Sequence, residues 1–308
     1  VFFLASGFLV TASLLKRQSV IDFAWARVLR IYPALLVMLL LTVLLLGPSF
    51  TTWSLSSYFS DSSVLRYFRK GLTLFSGVLY ELPGVFETNP YARAVNGSLW
   101  TLPYEIKMYA IMGAAWGLLG FVSGYRAVAF KIAVLLGAVA TWVYLVPVQL
   151  ELVEERLFVR LFFMFFAGSA FYVLRDRIPV LRSIFFVFFI TLSISVFVSL
   201  HMFFVVYVTV LAYVLFYIAY VPSGIIRKYN NFGDYSYGVY IYAFPIQQTI
   251  AALLPGISVL SMVVLSSVVT FAFAALSWHV IEKHALKLRD SYVGKTRKLL
   301  SFRWGEGK

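Results

Sequence analysis

One carboxylate, Glu105, stands at the head of a long apolar run with Trp100, Tyr104 and Tyr109 beside it. The stretch around it, Val95-Asn-Gly-Ser-Leu-Trp-Thr-Leu-Pro-Tyr-Glu-Ile-Lys-Met-Tyr109, opens on the turn residues Asn96 and Gly97. It then offers Ser98 as a helix cap and Pro103 for the first turn, where a missing N–H costs nothing. The apolar run Ala110–Val122 follows and is of the kind that enters a bilayer. A carboxylate at the edge of a membrane interior costs roughly 2.5–3.5 kcal/mol, so its first reading is functional. Partly desolvated at the outer mouth of its helix, it could act as a general base toward a sugar hydroxyl, or orient one. Trp53, Trp100, Tyr104 and Tyr109 suit a carbohydrate platform. The plainer alternatives are an interfacial pair between Glu105 and Lys107 or Arg93, and an interfacial aromatic belt.

Three other groups carry chemistry. Arg27 and Arg30 lie three residues apart on one helical face, and two guanidinium forks so spaced suit a diphosphate or another anionic ligand. Anchoring to anionic lipid is the competing reading. The segment Asp234–Gln248 is dense in hydroxyls and amides, with Tyr237, Tyr240 and Gln247 at helical spacing. That polar face could line a route through a bundle or serve helix–helix hydrogen bonds. Glu282 stands next to Lys283, which predicts a local ion pair, and Asn96-Gly-Ser98 matches a short glycosylation sequon.

The elements that position these groups follow from composition. Hydrophobic residues make up 61% of the 308, charged residues 13%, and mean hydropathy is +0.87. Soluble domains carry about 25% charged residues, so the chain reads as an all-α, polytopic integral membrane helix bundle. Long apolar runs without polar alternation argue against a β-barrel. With no cysteine and three scattered histidines (His201, His279, His284), neither a disulfide framework nor a metal site is expected.

About nine spans are predicted: 1–15, 31–46, 103–122, 132–148, 158–174, 184–200, 203–221, 236–254 and 257–281. Residues 18–30 read as a separate interfacial helix, and 67–80 as an interfacial or re-entrant one. Of 26 Lys and Arg, 19 fall on the side that holds Lys16, Arg27, Arg30, Arg227, Lys228 and the C-terminus. The positive-inside rule makes that side cytoplasmic and puts the 48–97 connection outside, with Glu151, Glu154 and Glu155. The net charge of +13 is then a topology signal and not a nucleic-acid footprint. The transmembrane domain covers 1–282 and a basic cytoplasmic tail covers 283–308. Starting at Val1 within an apolar segment, the sequence reads as lacking an upstream span, about ten being expected in full.

Five segments, in order, resemble the membrane-bound acyltransferase family 3. Phe2-Phe-Leu-Ala-Ser-Gly-Phe8 is similar to its FFxxSGF segment, and Arg27 to Pro33 to its RxxRIxP segment. Ser98–Glu105 resembles its SxWSLxxE motif, Tyr235–Tyr240 its SYxxY helix, and Ser277–Glu282 its closing SxxxxE. The resemblance implies a bundle that uses cytoplasmic acetyl-CoA to acetylate a glycan on the far side of the inner membrane. It makes Arg27 and Arg30 candidate donor-side residues and Glu105 the acceptor-side carboxylate. Trp100, Tyr104, Tyr237 and Tyr240 become candidate substrate contacts. The catalytic histidine of the pattern would precede Val1, which predicts a fragment incomplete for catalysis. Ala243 stands where many members carry histidine. The implied partners are the lipid bilayer and an exported polysaccharide or lipid-linked glycan. A transporter or flippase of a lipid-linked sugar is the alternative that shares the aromatic loop and polar helix.

Overall fold

The computed structural model describes residues 1–122, 124–149, 156–222 and 233–305. Glu151, Glu154, Glu155, Arg227 and Lys228, used above as topology markers, lie outside the described residues. Among the described residues there are helices and no strand beyond two isolated bridges. Four helices are long and apolar enough to cross a membrane: Val20–Phe50, Arg126–Val148, Leu200–Tyr220 and Val259–Ser301. Leu157–Val173 and Arg182–Val198 are shorter apolar helices. The protein is therefore an all-helical, multi-pass membrane protein. The chain divides into two units, Val1–Phe23 with Lys107–Tyr229 and Ala24–Ile106 with Asn230–Lys308.

In the first unit, α1 (Phe2–Arg17) packs on α7 (Leu157–Val173). Lipid offers no hydrophobic gain for this contact, so the gain comes from close backbone approach at small residues. Gly7 meets the carbonyl of Phe165 and Gly168 meets the carbonyl of Leu4, a reciprocal pair. The buried Ser169 hydroxyl donates to the Gly7 and Phe165 carbonyls at 3.1 Å each. A side chain at either glycine would place its Cβ inside a partner's backbone, which only a separation of the helices relieves. Gly168→Leu is therefore expected to abolish recovery of monodisperse protein on detergent size-exclusion chromatography. Gly294→Ala, where a Cβ meets nothing within 4 Å, serves as the control.

Elsewhere in this unit, Arg126 at the head of α6 (Arg126–Gln149) donates to the Trp116 carbonyl from Nε at 2.8 Å and Nη2 at 2.6 Å. The cation thereby answers an end-of-helix carbonyl. α8 (Arg182–Val198) and α9 (Leu200–Tyr220) form a tight hairpin, where Ser199 caps α9 by accepting from the Met202 N–H at 3.1 Å.

In the second unit, α2 runs without interruption from Val20 to Phe50. The expected break between an interfacial helix and a span near Arg30 does not occur, and Pro33 lies inside the helix. A π-helical turn covers Thr42–Leu46. In that turn the Gly47 N–H reaches the Thr42 carbonyl, so the next carbonyl, Val43, would look to the nitrogen of Pro48, which has no hydrogen. The buried Tyr58 hydroxyl donates to it instead, at 3.1 Å. Tyr58 belongs to α3 (Leu55–Ser60), and the following helix, α4, covers Ser62–Thr73 and not 67–80.

The other helices of this unit are α5 (Leu102–Leu118, begun in this unit after a 3-10 turn at Gly97–Thr101), α10 (Ser236–Leu253) and α11 (Val259–Ser277). α11 continues through a π turn at Trp278–Glu282. α10 and α11 pack where Gly238 lies against the backbone of Ala274. The tail helix α12 (Arg289–Gly305) is docked on α2, since Trp25 stacks on Tyr292 at 4.6 Å and donates to the Thr296 hydroxyl at 2.9 Å.

Candidate functional site

Pro245 organises the first half of the site. Lying inside α10, it has no N–H for the Ile241 carbonyl, which a helix interior leaves unsatisfied. The fully buried Asn96 donates to that carbonyl from Nδ2 at 2.9 Å, while its Oδ1 accepts from the Ser98 N–H at 3.2 Å. Asn96, and not Ser98, is therefore the cap of the turn, and a buried, bonded amide of this kind is no glycosylation acceptor.

The same pairing repeats along α10. Gln248 donates to the Tyr91 and Ala94 carbonyls at 2.7 and 2.5 Å, and Asn89 donates to the Gln248 carbonyl at 2.9 Å. Tyr240 donates to the Ser98 carbonyl and accepts from Thr101 at 2.8 Å. Irregular backbone at residues 89–101 thus runs beside α10 with its carbonyls answered by side chains. From Gln248 to Tyr240 it advances about 12 Å along that helix, at 1.5 Å per residue. This is the irregular stretch of the connection that packs along a helix, while the helix expected over 67–80 covers Ser62–Thr73.

Glu105 follows this run on the first turn of α5. Its side chain is buried, at 5% exposure, and close enough to Tyr237 and Tyr240 to act on their phenols electrostatically. Trp100 remains 38% exposed and packs edge-on against the half-buried Tyr104, ring centres 6.2 Å apart. Four of the expected residues, Glu105, Tyr104, Tyr237 and Tyr240, are thereby brought onto one stretch of α10 and α5. Gln247 is exposed, and Gln248 takes the buried polar position instead.

The second half of the site is at the Ser236 end of α10. Arg30 donates to Asp234 Oδ2 at 2.6 Å and to Glu282 Oε2 at 3.1 Å. Its guanidinium also lies 5.9 Å from the Tyr237 ring centre and 5.8 Å from that of Trp278. Glu282 is 1% exposed and accepts from the Ser277 hydroxyl at 2.9 Å. The local pair with Lys283 predicted for Glu282 is replaced by this long-range one. A carboxylate on a helix end that packs inward needs a buried partner, and Lys283, one residue on, points elsewhere on the helix. Tyr237 donates to the Ile31 carbonyl at 3.0 Å, which ties α10 to α2 one residue beyond Arg30.

Asp234 precedes its helix. Burial pushes its carboxyl up, but Arg30 and the hydrogen bonds from Ser236 outweigh that and hold it below its ordinary value of 3.8. A depressed carboxylate stabilises the fold above its unfolded value and loses that contribution as pH falls through the folded one. The melting-temperature difference between wild type and Asp234→Asn should therefore be flat from about pH 5 to 8, begin to shrink as pH falls past 3.8, and vanish only below the folded value, which lies lower still. Thermal unfolding followed across pH in detergent checks this.

Asp234, Glu282, Asn96, Asn89 and Gln248 are the members that sequence spacing did not single out as acting together. The signal for one of them, Asn96, was present: a proline inside an apolar helix leaves a carbonyl that some amide must answer.

The family profile of acyltransferase domains matches residues 1–279. An O-acetyl transferase of Shigella phage Sf6 is 30% identical over 315 residues, covering 93% of this chain and 83% of that protein. No solved structure matches. With all five motif segments inside or bordering the matched span, this chain belongs to the acyltransferase family 3.

Proposed function

We propose that this acyltransferase moves an acetyl group from cytoplasmic acetyl-CoA to a hydroxyl of an exported polysaccharide or lipid-linked glycan, in the inner membrane with its C-terminus cytoplasmic. The observation that carries the reading is Glu105: a carboxylate buried beside two phenols, at the start of an apolar helix, in a chain related to an O-acetyl transferase. In this reading Glu105 accepts the hydrogen bond of the acceptor hydroxyl and draws off its proton as the oxygen attacks the thioester carbonyl. The C–O bond forms, the C–S bond breaks, and the departing thiolate takes up the proton. Tyr237 and Tyr240 flank the reacting groups, and Trp100 and Tyr104 offer ring faces to the sugar.

On the donor side, Arg27 is assigned to the phosphates of the donor. Two carboxylates already occupy the guanidinium of Arg30, so its proposed part is to hold the ends of α2, α10 and α11 in place around that donor. Membership in an acyltransferase family displaces the transporter reading. The test is product analysis: membranes with the full-length protein, given labelled acetyl-CoA and polysaccharide, should yield an alkali-labile acetyl ester on the polysaccharide. Label that stays in water-soluble acetate with every glycan offered would refute the glycan acceptor.

A further inference from the structure

The 51–96 connection is a built scaffold. Isolated bridges join Thr51 to Val85 and Glu81 to Ala94. The Thr51 hydroxyl donates to the Pro83 carbonyl at 2.7 Å, and the Thr52 N–H donates to the Gly84 carbonyl at 3.0 Å. Gly84 has φ +68°, and a Cβ there would meet the side chains of Thr51, Thr52 and Trp53 at 2.7 Å, so only glycine lets these strands close. Arg93 is held in the left-handed region at φ 63°, a conformation that costs about 1–3 kcal/mol for a non-glycine residue and that clusters at binding sites.

This scaffold encloses an open cleft of about 590 Å³, within the range of ordinary ligand sites. Trp53 and Tyr80 stand in its wall with large exposed ring faces, 44% and 39%. Asp61, Glu81 and Glu87 line it together with Arg66 and Arg93. Glu81 and Arg93 enter no ion pair among the described residues, although both border the cleft. Tyr80 connects the cleft to the site above. Burial first, then the phenols of Tyr104 and Tyr91, push its hydroxyl pKa up, and Tyr240 also lies within its electrostatic reach.

We infer that this cleft is an acceptor subsite that takes an uncharged saccharide unit and leads it toward Glu105; the inference rests on the glycan acceptor proposed above. Three carboxylates against two guanidinium groups leave the walls net negative, which disfavours a phosphate or uronate. Exposed ring faces suit the C–H face of a sugar, carboxylates accept from its hydroxyls, and the arginines donate to its oxygens. An apolar ligand would leave Glu81 and Arg93 facing it with no ion-pair partner among the described residues.

The probe is the cell's own surface polysaccharide, stripped of O-acyl groups with mild alkali, and the protein is full-length in nanodiscs. Trp53→Ala and Glu81→Gln should each raise the KM for this polysaccharide at least tenfold, while the donor KM moves less than twofold. Saturating polysaccharide should also protect Trp53 from N-bromosuccinimide oxidation, read peptide by peptide by mass spectrometry, so the result does not depend on the variants folding. Unchanged acceptor KM in both variants, or Trp53 oxidised equally with and without polysaccharide, would overturn the inference. Absence of acyl transfer in the wild type counts against the proposed reaction instead, and protection of Trp53 in that case would leave the saccharide subsite standing.

Discussion

Arg30→Met should destabilise the protein by about 3–5 kcal/mol, because Glu282 is then left buried with Ser277 as its remaining hydrogen-bond donor. A cost of that size lowers the melting temperature by roughly 10 °C for a chain of this length. The partner experiment separates a structural cation from a ligand-binding one. Adding Glu282→Leu to Arg30→Met removes both charges at once, and replacing a buried pair by apolar residues is commonly neutral. The double variant should therefore regain most of the lost stability. If Arg30 served only the donor, Arg30→Met would instead leave the melting temperature in place and raise the donor KM alone. Asp234 is the weaker arm of the network because its side chain is 54% exposed and its pairing is screened by water.

Glu105→Gln carries the larger expected effect on activity. The amide keeps the shape and hydrogen-bonding reach of the carboxylate but cannot take a proton. General-base contributions run to about 10²–10⁴-fold, so kcat should fall by that range. The amide is isosteric with the carboxylate and keeps an acceptor oxygen, so the packing of the buried site is retained and the melting temperature is expected to hold. A variant that loses both fold and activity would point to Glu105 as a structural partner in its buried surroundings and not as the group that handles the acceptor hydroxyl.

The apolar runs made the helices legible, and their order of types was clear from the sequence. What sequence reading missed has a common cause: a charge or amide whose partner lies far along the chain. Arg30 looked like the end of an interfacial helix because a cation interrupts an apolar pattern. In the structure α2 continues through it, since Asp234 and Glu282, more than 200 residues away, neutralise the charge. Glu282 was matched to its neighbour Lys283 for the same reason.

Gln247 and Gln248 differ by about 100° around α10. Which of them faces inward is decided by the 89–96 backbone packed there, and helical spacing from Tyr237 and Tyr240 does not reveal it. The burial of Glu105 was hidden in the same way. Apolar-run counting starts a span near 103, but the residues before it already run alongside α10, and only the paired amides Asn89 and Asn96 carry that information. The motif segments were legible as a set, and what the sequence left open was how Asp234 and Glu282 close on Arg30.

Ester formation by the wild-type and Glu105→Gln proteins, compared at matched levels in the same membranes with labelled acetyl-CoA and de-esterified polysaccharide, tests the central claim most directly. The account predicts alkali-labile label on the polysaccharide from the wild type and at least a hundredfold less from the variant, with both proteins melting at similar temperatures. Equal labelling by the two would contradict it, because the buried carboxylate would then have no part in the transfer.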